Sequence, residues 1–366
     1  MTYLPPSALV VGAGPVGLAA ALELDRLGAA VRLIDQSSDR PALSKAVGVN
    51  ARALELLEPS GVTHKLLDAG LKVSVVNLRF GTEVLAAIDF SKMQHRHNYL
   101  LCLPQSDTER IMVDALAERG ITVERATELT EFEQDDAGIA AMLSAQGSAS
   151  RHLADYLLGC DGAHSSVRGA LGLGFGGERY PDSWSLADIR MDWAFGHGEG
   201  NLIMRPEGQV LFVISLPGDR FRAISNTENV LDLLPEGASV TEILWQTSFP
   251  VSLRHVTSYG SGRVFLAGDA AHIHSPAGGR GMNLGIEDAT ILAWRMVRGG
   301  LETYSRDRHR VGAQVVRESD AQFRMAAIRN PALRPVRNFL VRHVLGSEVV
   351  QKTLRLRMAG LDHQAV

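Results

Sequence analysis

Three glycines near the start of the chain, Gly12, Gly14 and Gly17, form the pattern G-x-G-x-x-G and constrain the fold more than any other feature. The pattern follows an apolar run and precedes residues 15–27, where apolar groups recur at helical spacing. In such a strand–turn–helix unit, the first glycine makes a tight turn and the second lets a diphosphate approach the backbone. The third allows close packing of the helix. The start of that helix offers free N–H groups to phosphates.

A second apolar run, residues 30–35, follows the helix and ends on an acid, Asp35. Strand, glycine turn, helix and strand in this order build a parallel sheet. Asp35 lies at the end of the second strand, where an acid accepts hydrogen bonds from ribose hydroxyls. The sequence therefore predicts a dinucleotide site in a Rossmann-like domain, without distinguishing NAD from FAD.

Two later stretches, residues 156–168 and 263–289, repeat part of this design. Each has an apolar run, an acid at its end and glycines close by. The first contains Asp161, Gly162 and Arg168, and the second contains Gly268, Asp269, Gly278, Gly279, Gly281 and Asn283. A carboxylate at a strand end near the first motif can bind a ribose or ribityl hydroxyl, and a glycine-rich helix start aims N–H groups at an anion.

With these three motifs the sequence resembles the group A flavoprotein monooxygenases, the para-hydroxybenzoate hydroxylase-like family, from about residue 7 to about residue 310. The resemblance implies FAD as the cofactor. In that family the segment like Asp161–Arg168 lies beside FAD and the route of the nicotinamide. Asp269 matches an aspartate that binds the ribityl chain, and the helix start at Gly279–Asn283 lies against the flavin pyrimidine, where its dipole would stabilise the anionic reduced flavin.

Further FAD contacts are implied by the same resemblance. Gln105 matches a glutamine that contacts FAD, with a helix-entry cap as the alternative, and Arg52 matches an arginine near the phosphates, with a solvent-facing helix residue as the alternative. Lys45 stands where many relatives have arginine, which weakens the case for bidentate phosphate binding there. The residues predicted to contact the cofactor are Gly12, Gly14, Pro15, Val16, Gly17, Asp35, Gln36, Lys45, Arg52, Gln105, Asp161, Gly162, Arg168, Gly268, Asp269, Pro276, Gly279, Gly281, Met282 and Asn283.

The expected fold class is α/β, a Rossmann-like FAD-binding domain with an inserted, mostly antiparallel β-sheet substrate domain and C-terminal helices. Short alternating runs at residues 182–259 indicate the antiparallel sheet. Residues 50–58 and 106–119 are predicted to be helices, the second opened by a capping box of Ser106 and Glu109. The predicted division is 1–72, 100–178 and 260–310 for the FAD-binding domain, 73–99 and 179–259 for the substrate domain, and 311–366 for the C-terminal helical region.

The family chemistry implied is a hydroxylation. NADPH or NADH reduces FAD, the reduced flavin reacts with O2 at C4a, and the resulting hydroperoxide delivers one oxygen atom to an electron-rich aromatic substrate. A second glycine fingerprint for the nicotinamide is missing, as expected for a family that binds NAD(P)H transiently. A homodimer is an option that the sequence leaves open.

Substrate residues are expected on the inserted sheet. In hydroxybenzoate hydroxylase-like enzymes an arginine on this sheet clamps the substrate carboxylate, whereas the stretch here offers Val210, Phe212 and Ile214 on one apolar face. We therefore expect a larger, less charged phenolic or polycyclic substrate. His274 is a candidate base on a phenol and Pro276 a candidate contact at the substrate edge. For His274 and its neighbour His272, packing is the alternative.

Composition excludes several other roles. The net charge of −4 gives no field that would attract nucleic acid or an anionic membrane. The N-terminus does not read as a signal peptide, and no run approaches the roughly 20 apolar residues that a bilayer requires. Cys102 and Cys160 lie in apolar runs without a second ligand at metal spacing, so we expect buried reduced thiols, no metal site and a cytoplasmic location.

The stretch from residue 330 to residue 358 is helical in pattern and basic. A solvated helix face is expected there, with a membrane-surface or partner helix as the alternative. Its basic residues, with one just before it, are Arg329, Arg334, Arg337, Arg342, Lys352, Arg355 and Arg357.

Three rival functions stay open. A flavin-dependent halogenase shares the fold, but the W-x-W-x-I-P stretch that it should show is missing around the four tryptophans. A flavin-dependent reductase or dehydrogenase acting on isoprenoid chains is the second rival. A non-catalytic flavin-binding partner protein is the third.

Overall fold

The computed structural model describes residues 5–40, 44–275 and 278–364. In chain order the strands are β1 (Ser7–Val11), β2 (Ala30–Ile34), β3 (Gly48–Val49), β4 (Leu71–Val73), β5 (Val75–Phe80), β6 (Glu83–Asp89), β7 (Leu100–Cys102), β8 (Val123–Glu124), β9 (Thr127–Gln134), β10 (Ile139–Ala145), β11 (Ser148–Ala154), β12 (Tyr156–Gly159), β13 (Phe175–Asp192), β14 (Gly200–Met204), β15 (Val210–Leu216), β16 (Arg220–Ser225), β17 (Ser239–Val256), β18 (Gly260–Ser261), β19 (Val264–Leu266) and β20 (His272–Ile273). The α-helices are α1 (Pro15–Arg26), α2 (Ala51–Leu57), α3 (Val62–Ala69), α4 (Gln105–Ala117), α5 (Ser166–Ala170), α6 (Gly281–Arg298), α7 (Leu301–Ala326), α8 (Arg334–Leu340) and α9 (Glu348–Met358).

A six-stranded sheet in the order β18-β19-β12-β1-β2-β8 forms the first half of the molecule. All neighbours in it are parallel except β18 and β19. The central strand β1 is buried because residues 8–11 are all apolar, which suits a parallel strand covered on both faces. The carboxyl ends of β19, β12, β1 and β2 therefore lie side by side, so the three sequence motifs meet at one edge of the sheet.

An eight-stranded sheet in the order β20-β17-β13-β16-β15-β14-β5-β6 forms the second half. Its neighbours are antiparallel apart from β14 and β5. Strand β20, which lies within the third motif, pairs with β17 and so connects this motif to the eight-stranded sheet. The expected α/β class, with a mostly antiparallel inserted sheet and C-terminal helices, is confirmed.

The division into domains stays a prediction, and three of its boundaries fall inside continuous elements. The boundary after residue 72 lies within β4, the boundary after residue 178 lies within β13, and the boundary after residue 310 lies within α7. Helix α7 packs on the eight-stranded sheet, where the Phe323 ring lies 5.0 Å from the rings of Tyr180 and Trp184. The C-terminal helices therefore continue the packing of the two sheets.

The predicted capping box at the start of α4 is wrong. The helix begins at Gln105 with Pro104 as its N-cap, so Ser106 lies inside the first turn. The Glu109 side chain instead accepts a hydrogen bond from Gln105 Nε2 at 2.8 Å. The N-cap Pro104 therefore lies two residues before the predicted serine cap.

The expectation of a solvated basic face near the C-terminus is wrong for two of its arginines. Arg337 and Arg355 are 1% and 2% exposed, and Arg337 donates to the carbonyl oxygen of Ala326. Apolar side chains such as Val336 and Phe339 are exposed instead. Among the described residues, no helix is both long enough and apolar enough to cross a bilayer.

Both cysteines behave as expected. Cys102 and Cys160 are free and buried, and burial raises the pKa of both thiols. Neither thiol is therefore a nucleophile at neutral pH. Within the described ranges, no group of three His, Cys, Asp or Glu side chains is placed to hold a metal ion.

Candidate functional site

Glycine is required at the positions of the first motif for different structural reasons. Gly12 has a φ of +100°, and a Cβ there would lie 2.5 Å from the carbonyl oxygen of Cys160. A Cβ on Gly17 would lie 1.8 Å from the carbonyl oxygen of Gly12, so only glycine fits at either position. Around Gly14, by contrast, no described atom lies within 4 Å of such a Cβ. Gly14 therefore faces open space at the start of α1, where a diphosphate can approach.

The two residues that follow Gly14, together with Asp35, complete this corner. Pro15 is the first residue of α1, where its missing N–H costs nothing. The Val16 side chain packs on the third motif, since a Cβ on Gly268 or Gly285 would lie 2.7 Å or 2.6 Å from its Cγ2. Asp35 accepts the Ala13 N–H at 2.7 Å, so its carboxylate already stabilises the turn.

The second motif presents a carboxylate that is half used. Asp161 Oδ2 accepts hydrogen bonds from Ser166 Oγ and the Val167 N–H, both at 3.1 Å. Its Oδ1 is buried and has no partner among the described residues. Gly162 follows with a φ of +78°. A buried carboxylate oxygen without a donor is costly, and this one faces the edge where the motifs meet.

Arg168 joins the second motif to the third. It donates to the carbonyl oxygens of Ala270 at 3.0 Å and Ala163 at 2.9 Å, and its guanidinium lies 3.9 Å from the centroid of the Phe175 ring. Burial lowers its pKa. Arg168 therefore holds two strand-end loops together.

Asp269 is the open carboxylate of the third motif. Gly268, before it, has a φ of +63° and accommodates the sharp turn after β19. Asp269 is solvent-accessible, and none of the described residues donates a hydrogen bond to its side chain. It nevertheless lies deep in the fold, so desolvation raises its pKa, against the charges of His272 and Lys45.

A glycine turn leads into α6. Gly278 and Gly279 have φ angles of +83° and +61°, and α6 starts at Gly281 without a side-chain cap. Its first N–H groups therefore lack intrahelical partners and can face an anion. Met282, in this first turn, is half-buried and packs against the core of the six-stranded sheet.

Asn283 has a structural role that the sequence did not predict. Its Oδ1 accepts the Asn50 N–H at 2.9 Å, and its Nδ2 donates to the carbonyl oxygens of Gly48 and Gly279, also at 2.9 Å. The side chain therefore ties the start of α2 to the glycine turn.

The other predicted cofactor residues are placed less uniformly. Gln36 is exposed after β2, and Gln105 is bound to Glu109 as described above. The Lys45 ammonium lies 4.5 Å from the centroid of the Phe249 ring, toward the substrate sheet. Arg52 donates to the carbonyl oxygens of Gly360 and His363, so its guanidinium faces the C-terminal region. The geometry does not support the phosphate contact predicted for Arg52.

The two histidines of the third motif, His272 and His274, differ in their hydrogen-bond partners. His272 Nε2 bonds Asp288 at 2.6 Å in the core, which fits the packing alternative. His274 Nδ1 bonds the Ser275 carbonyl at 2.9 Å, while its buried Nε2 finds no partner in the described part of the chain. Burial and the charge of His272 lower the His274 pKa to about 4. Pro276, the other predicted catalytic residue, lies outside the described residues.

The three predicted substrate residues, Val210, Phe212 and Ile214, lie on one face of β15 but pack against different neighbours. Val210 packs in a cluster with Met204 and residues of the C-terminal helices, and Ile214 packs against Val73. Only Phe212 is half-buried. Phe212 is therefore the member of this set that can still contact a substrate.

A buried ion pair on the same face was missed. Arg222, on β16 opposite Ile214, is 1% exposed and binds Asp188 through two bonds of 2.7 Å. It also donates to the carbonyl oxygens of Lys45 and Ala46. Arg222 occupies a polar position in the alternation of residues 220–223, so no sequence signal indicates that it is buried. The sheet does carry an arginine, but Asp188 neutralises it.

A family model described as an FAD binding domain matches residues 6–225 and 220–319. The chain belongs to the group A flavoprotein monooxygenase family. The chain is 33% identical over 342 residues to pentachlorophenol 4-monooxygenase from Sphingobium chlorophenolicum, covering 86% of this chain and 63% of that protein. It is also 33% identical over 350 residues to a 12-dehydrotetracycline 5-monooxygenase/anhydrotetracycline 6-monooxygenase from Streptomyces rimosus, covering 86% and 68%. The chain thus spans about two thirds of the length of these relatives.

Solved structures have the same architecture as this chain. The p-nitrophenol 4-monooxygenase from Pseudomonas putida superposes with a TM-score of 0.89 over 100% of both chains at 24% identity, which speaks for the fold alone. An anhydrotetracycline hydroxylase from Streptomyces rimosus gives a TM-score of 0.81 at 29% identity, over 98% of this chain and 76% of that one. The fold and the family are therefore established together.

Proposed function

We propose that the chain is an FAD-dependent monooxygenase that uses NADPH or NADH and O2 to add one oxygen atom to a phenolic or polycyclic aromatic substrate. The observation that carries this proposal is that three strand-end motifs follow neighbouring strands of the six-stranded sheet, and that the third of them leads into the start of α6. A cytoplasmic location, where both reduced nicotinamides are available, belongs to the same proposal.

The residues present fit FAD. Gly14 leaves open space at a helix start, Asp161 has a buried oxygen without a donor, and Asp269 offers an unused carboxylate. In our assignment, the first turn of α1 holds the diphosphate, Asp35 a ribose hydroxyl and Asp269 the ribityl hydroxyls. FAD would supply the redox chemistry that links NAD(P)H to O2.

The start of α6 would favour a negative charge on the ring of the cofactor. Its first N–H groups have no side-chain cap, and they lie at the positive end of an 18-residue helix. The glycine turn before it allows close backbone approach, since nothing described lies within 4 Å of a Cβ built on Gly279. Preorganised N–H groups of this kind stabilise developing charge without reorganising.

The neutralised arginine supports an uncharged substrate. All the hydrogen bonds of Arg222 go to Asp188 and to the carbonyl oxygens of Lys45 and Ala46, so it is not available as a carboxylate clamp. Phe212 and the aromatic side chains of β17 offer flat apolar contacts instead. The names of the relatives, a chlorinated phenol and a tetracycline, agree with this class.

His274 suits a hydrogen-bond acceptor better than a strong base. With a pKa of about 4 it is neutral at pH 7, and its Nε2 carries a free lone pair. A base this weak removes little proton from a phenol whose pKa is near 10. We assign it the task of orienting a substrate hydroxyl through Nε2.

The test is a substrate screen with product analysis. Purified protein loaded with FAD is mixed with NADPH or NADH and a panel of phenols and polycyclic phenols, and NAD(P)H oxidation and product mass are followed. We expect neutral compounds to stimulate oxidation and to gain one oxygen atom. A flavin that no nicotinamide bleaches, with any compound, would favour the non-catalytic binding protein instead. A protein that does not bind FAD would remove the whole proposal.

A further inference from the structure

A segment near the C-terminus, Met358–His363, lies against the start of α2. Asn50 Nδ2 donates to the Met358 carbonyl oxygen at 3.2 Å, and the Arg52 N–H donates to the Ala359 carbonyl oxygen at 3.0 Å. Gly360 has a φ of +73°, and a Cβ there would lie 2.8 Å from the Cβ of Arg52. We call this segment the strap. Its backbone is therefore fixed beside the loop that Asn283 binds.

The strap also reaches the glycine turn before α6. Arg280, which directly follows Gly279 and is 7% exposed, donates to Asp362 Oδ1 at 3.1 Å. It also pairs with Glu318 of α7 at 3.5 Å. Two consecutive left-handed glycines give the turn much conformational freedom, so an anchor on the next residue limits the positions of its N–H groups.

The strap further binds the body of α6. His363 Nε2 lies 2.7 Å from Glu287 Oε1, and His363 Nδ1 lies 3.0 Å from Asp362 Oδ1. Glu287 in turn accepts a bond of 2.7 Å from Arg308.

Arg308 extends the contacts to the third motif. Its Nε donates to Asp288 at 2.5 Å, and the other oxygen of Asp288 accepts the Gly268 N–H at 3.1 Å. Buried polar contacts therefore run from the strap through α6 to the turn beside Asp269.

We propose that Asp362 and His363 are positioning residues, which act through Arg280 and Glu287 to hold the N–H groups at the start of α6 in the arrangement that binds the flavin. This inference rests on the proposed FAD site. It predicts that loosening the strap weakens FAD binding even though no strap side chain belongs to the glycine turn or to the strand-end motifs.

The experiment measures the FAD dissociation constant of the apoprotein by quenching of flavin fluorescence, together with thermal unfolding of the same samples. Asp362→Asn keeps the shape but removes the charge that faces Arg280, and we expect FAD binding to weaken about tenfold. Asp362→Glu should recover most of the affinity. His363→Gln should give a smaller loss, because Asp362 still binds Arg280.

The matched control is Glu348→Gln. It removes the ion pair between Glu348 and Arg355, both on α9, which precedes the strap in the chain. We expect its dissociation constant to stay within twofold of the wild type. A further test is the Arg280→Gln background, where Asp362→Asn should have no added effect on affinity.

Two results would contradict the proposed role of the strap in FAD binding. One is equal affinity for wild type and Asp362→Asn, and the other is equal losses for Asp362→Asn and Glu348→Gln. A wild-type protein that does not bind FAD is a different result, since it removes the proposed function. If Asp362→Asn does not fold, the affinities of Asp362→Glu and His363→Gln decide, and wild-type values for both reject the proposal.

Discussion

The polar groups at the strand ends of the six-stranded sheet and those on the eight-stranded sheet differ in whether they have hydrogen-bond partners. At the strand ends, Asp161 has a buried oxygen without a described partner, and Asp269 is solvent-accessible. On the sheet, Arg222 is bound by Asp188 and by two backbone carbonyls. Under the proposed function, the difference means that unused polar groups bind the cofactor, whereas an apolar surface selects the substrate.

The largest expected effect separates packing glycines from the ligand-facing one. Gly17→Ala places a Cβ 1.8 Å from a backbone oxygen, so we expect the apoprotein to lose more than about 4 kcal/mol of unfolding free energy. Gly14→Ala has open space and a φ of −78°, so its apoprotein should stay within about 0.5 kcal/mol of the wild type. Denaturant unfolding measures both.

Affinity for FAD gives a second comparison between Gly14 and Gly17. The added methyl of Gly14→Ala faces the space assigned to the diphosphate, so FAD binding should weaken although stability does not change. Wild-type affinity in Gly14→Ala would show that the open space is not where the cofactor binds.

The next effect concerns the neutralised arginine. Asp188→Asn leaves the buried charge of Arg222 unbalanced, and removing one partner of a buried pair costs about 3–5 kcal/mol. The same variant should shift stimulation of NAD(P)H oxidation from neutral phenols toward carboxylated ones. Asp192→Asn, exposed on the same strand, is the control. An unchanged ratio of the two substrate classes would break the link between this pair and selectivity.

A smaller effect is expected at the open carboxylate. Asp269→Ala removes an acceptor for ribityl hydroxyls, and hydrogen bonds to a charged group contribute about 1.5–3 kcal/mol, or roughly 10- to 100-fold in the FAD dissociation constant. Stability of the apoprotein should not fall, because no described residue bonds this side chain. Asp68→Ala, exposed on α3, is the control for a lost surface charge. Equal affinities of the two variants would contradict the assignment.

The smallest effect is a pH dependence carried by the strap. Burial alone would lower the pKa of His363, but its bonds to Asp362 and Glu287 raise it to about 9. The ordinary value is near 6.5, so this stabilisation is complete below pH 6.5 and is lost as pH rises through about 9. The thermal unfolding temperature of the wild type should fall more steeply over this pH range than that of His363→Gln. His64→Gln, an exposed histidine on α3, should behave like the wild type.

Sequence alone predicted the strand ends well because each motif is local. The glycine pattern at Gly12–Gly17 and the acids at Asp161 and Asp269 each lie within a few residues of the strand that positions them. Parallel pairing then brings them together without further information. Which atoms stay free for a ligand required the structure, as the bound amide of Asn283 shows.

The residues that sequence missed depend on distant partners. Asp188 and Arg222 meet only because β13 pairs with β16, and Arg52 is turned away by a carbonyl more than 300 residues later. The buried arginine Arg337 likewise follows from packing against the end of α7. Amphipathic patterns describe one element at a time, so they do not predict such contacts.

The most direct measurement of the central claim is labelling with ¹⁸O2. FAD-loaded protein, NADPH or NADH and the most stimulating phenol are incubated under ¹⁸O2, and the product is analysed by mass spectrometry. The proposed monooxygenase incorporates one ¹⁸O atom into the aromatic product, and Asp269→Ala at the same FAD concentration forms less of it. Oxidation of NAD(P)H that yields only hydrogen peroxide, with no labelled product across the whole panel, would contradict the claim.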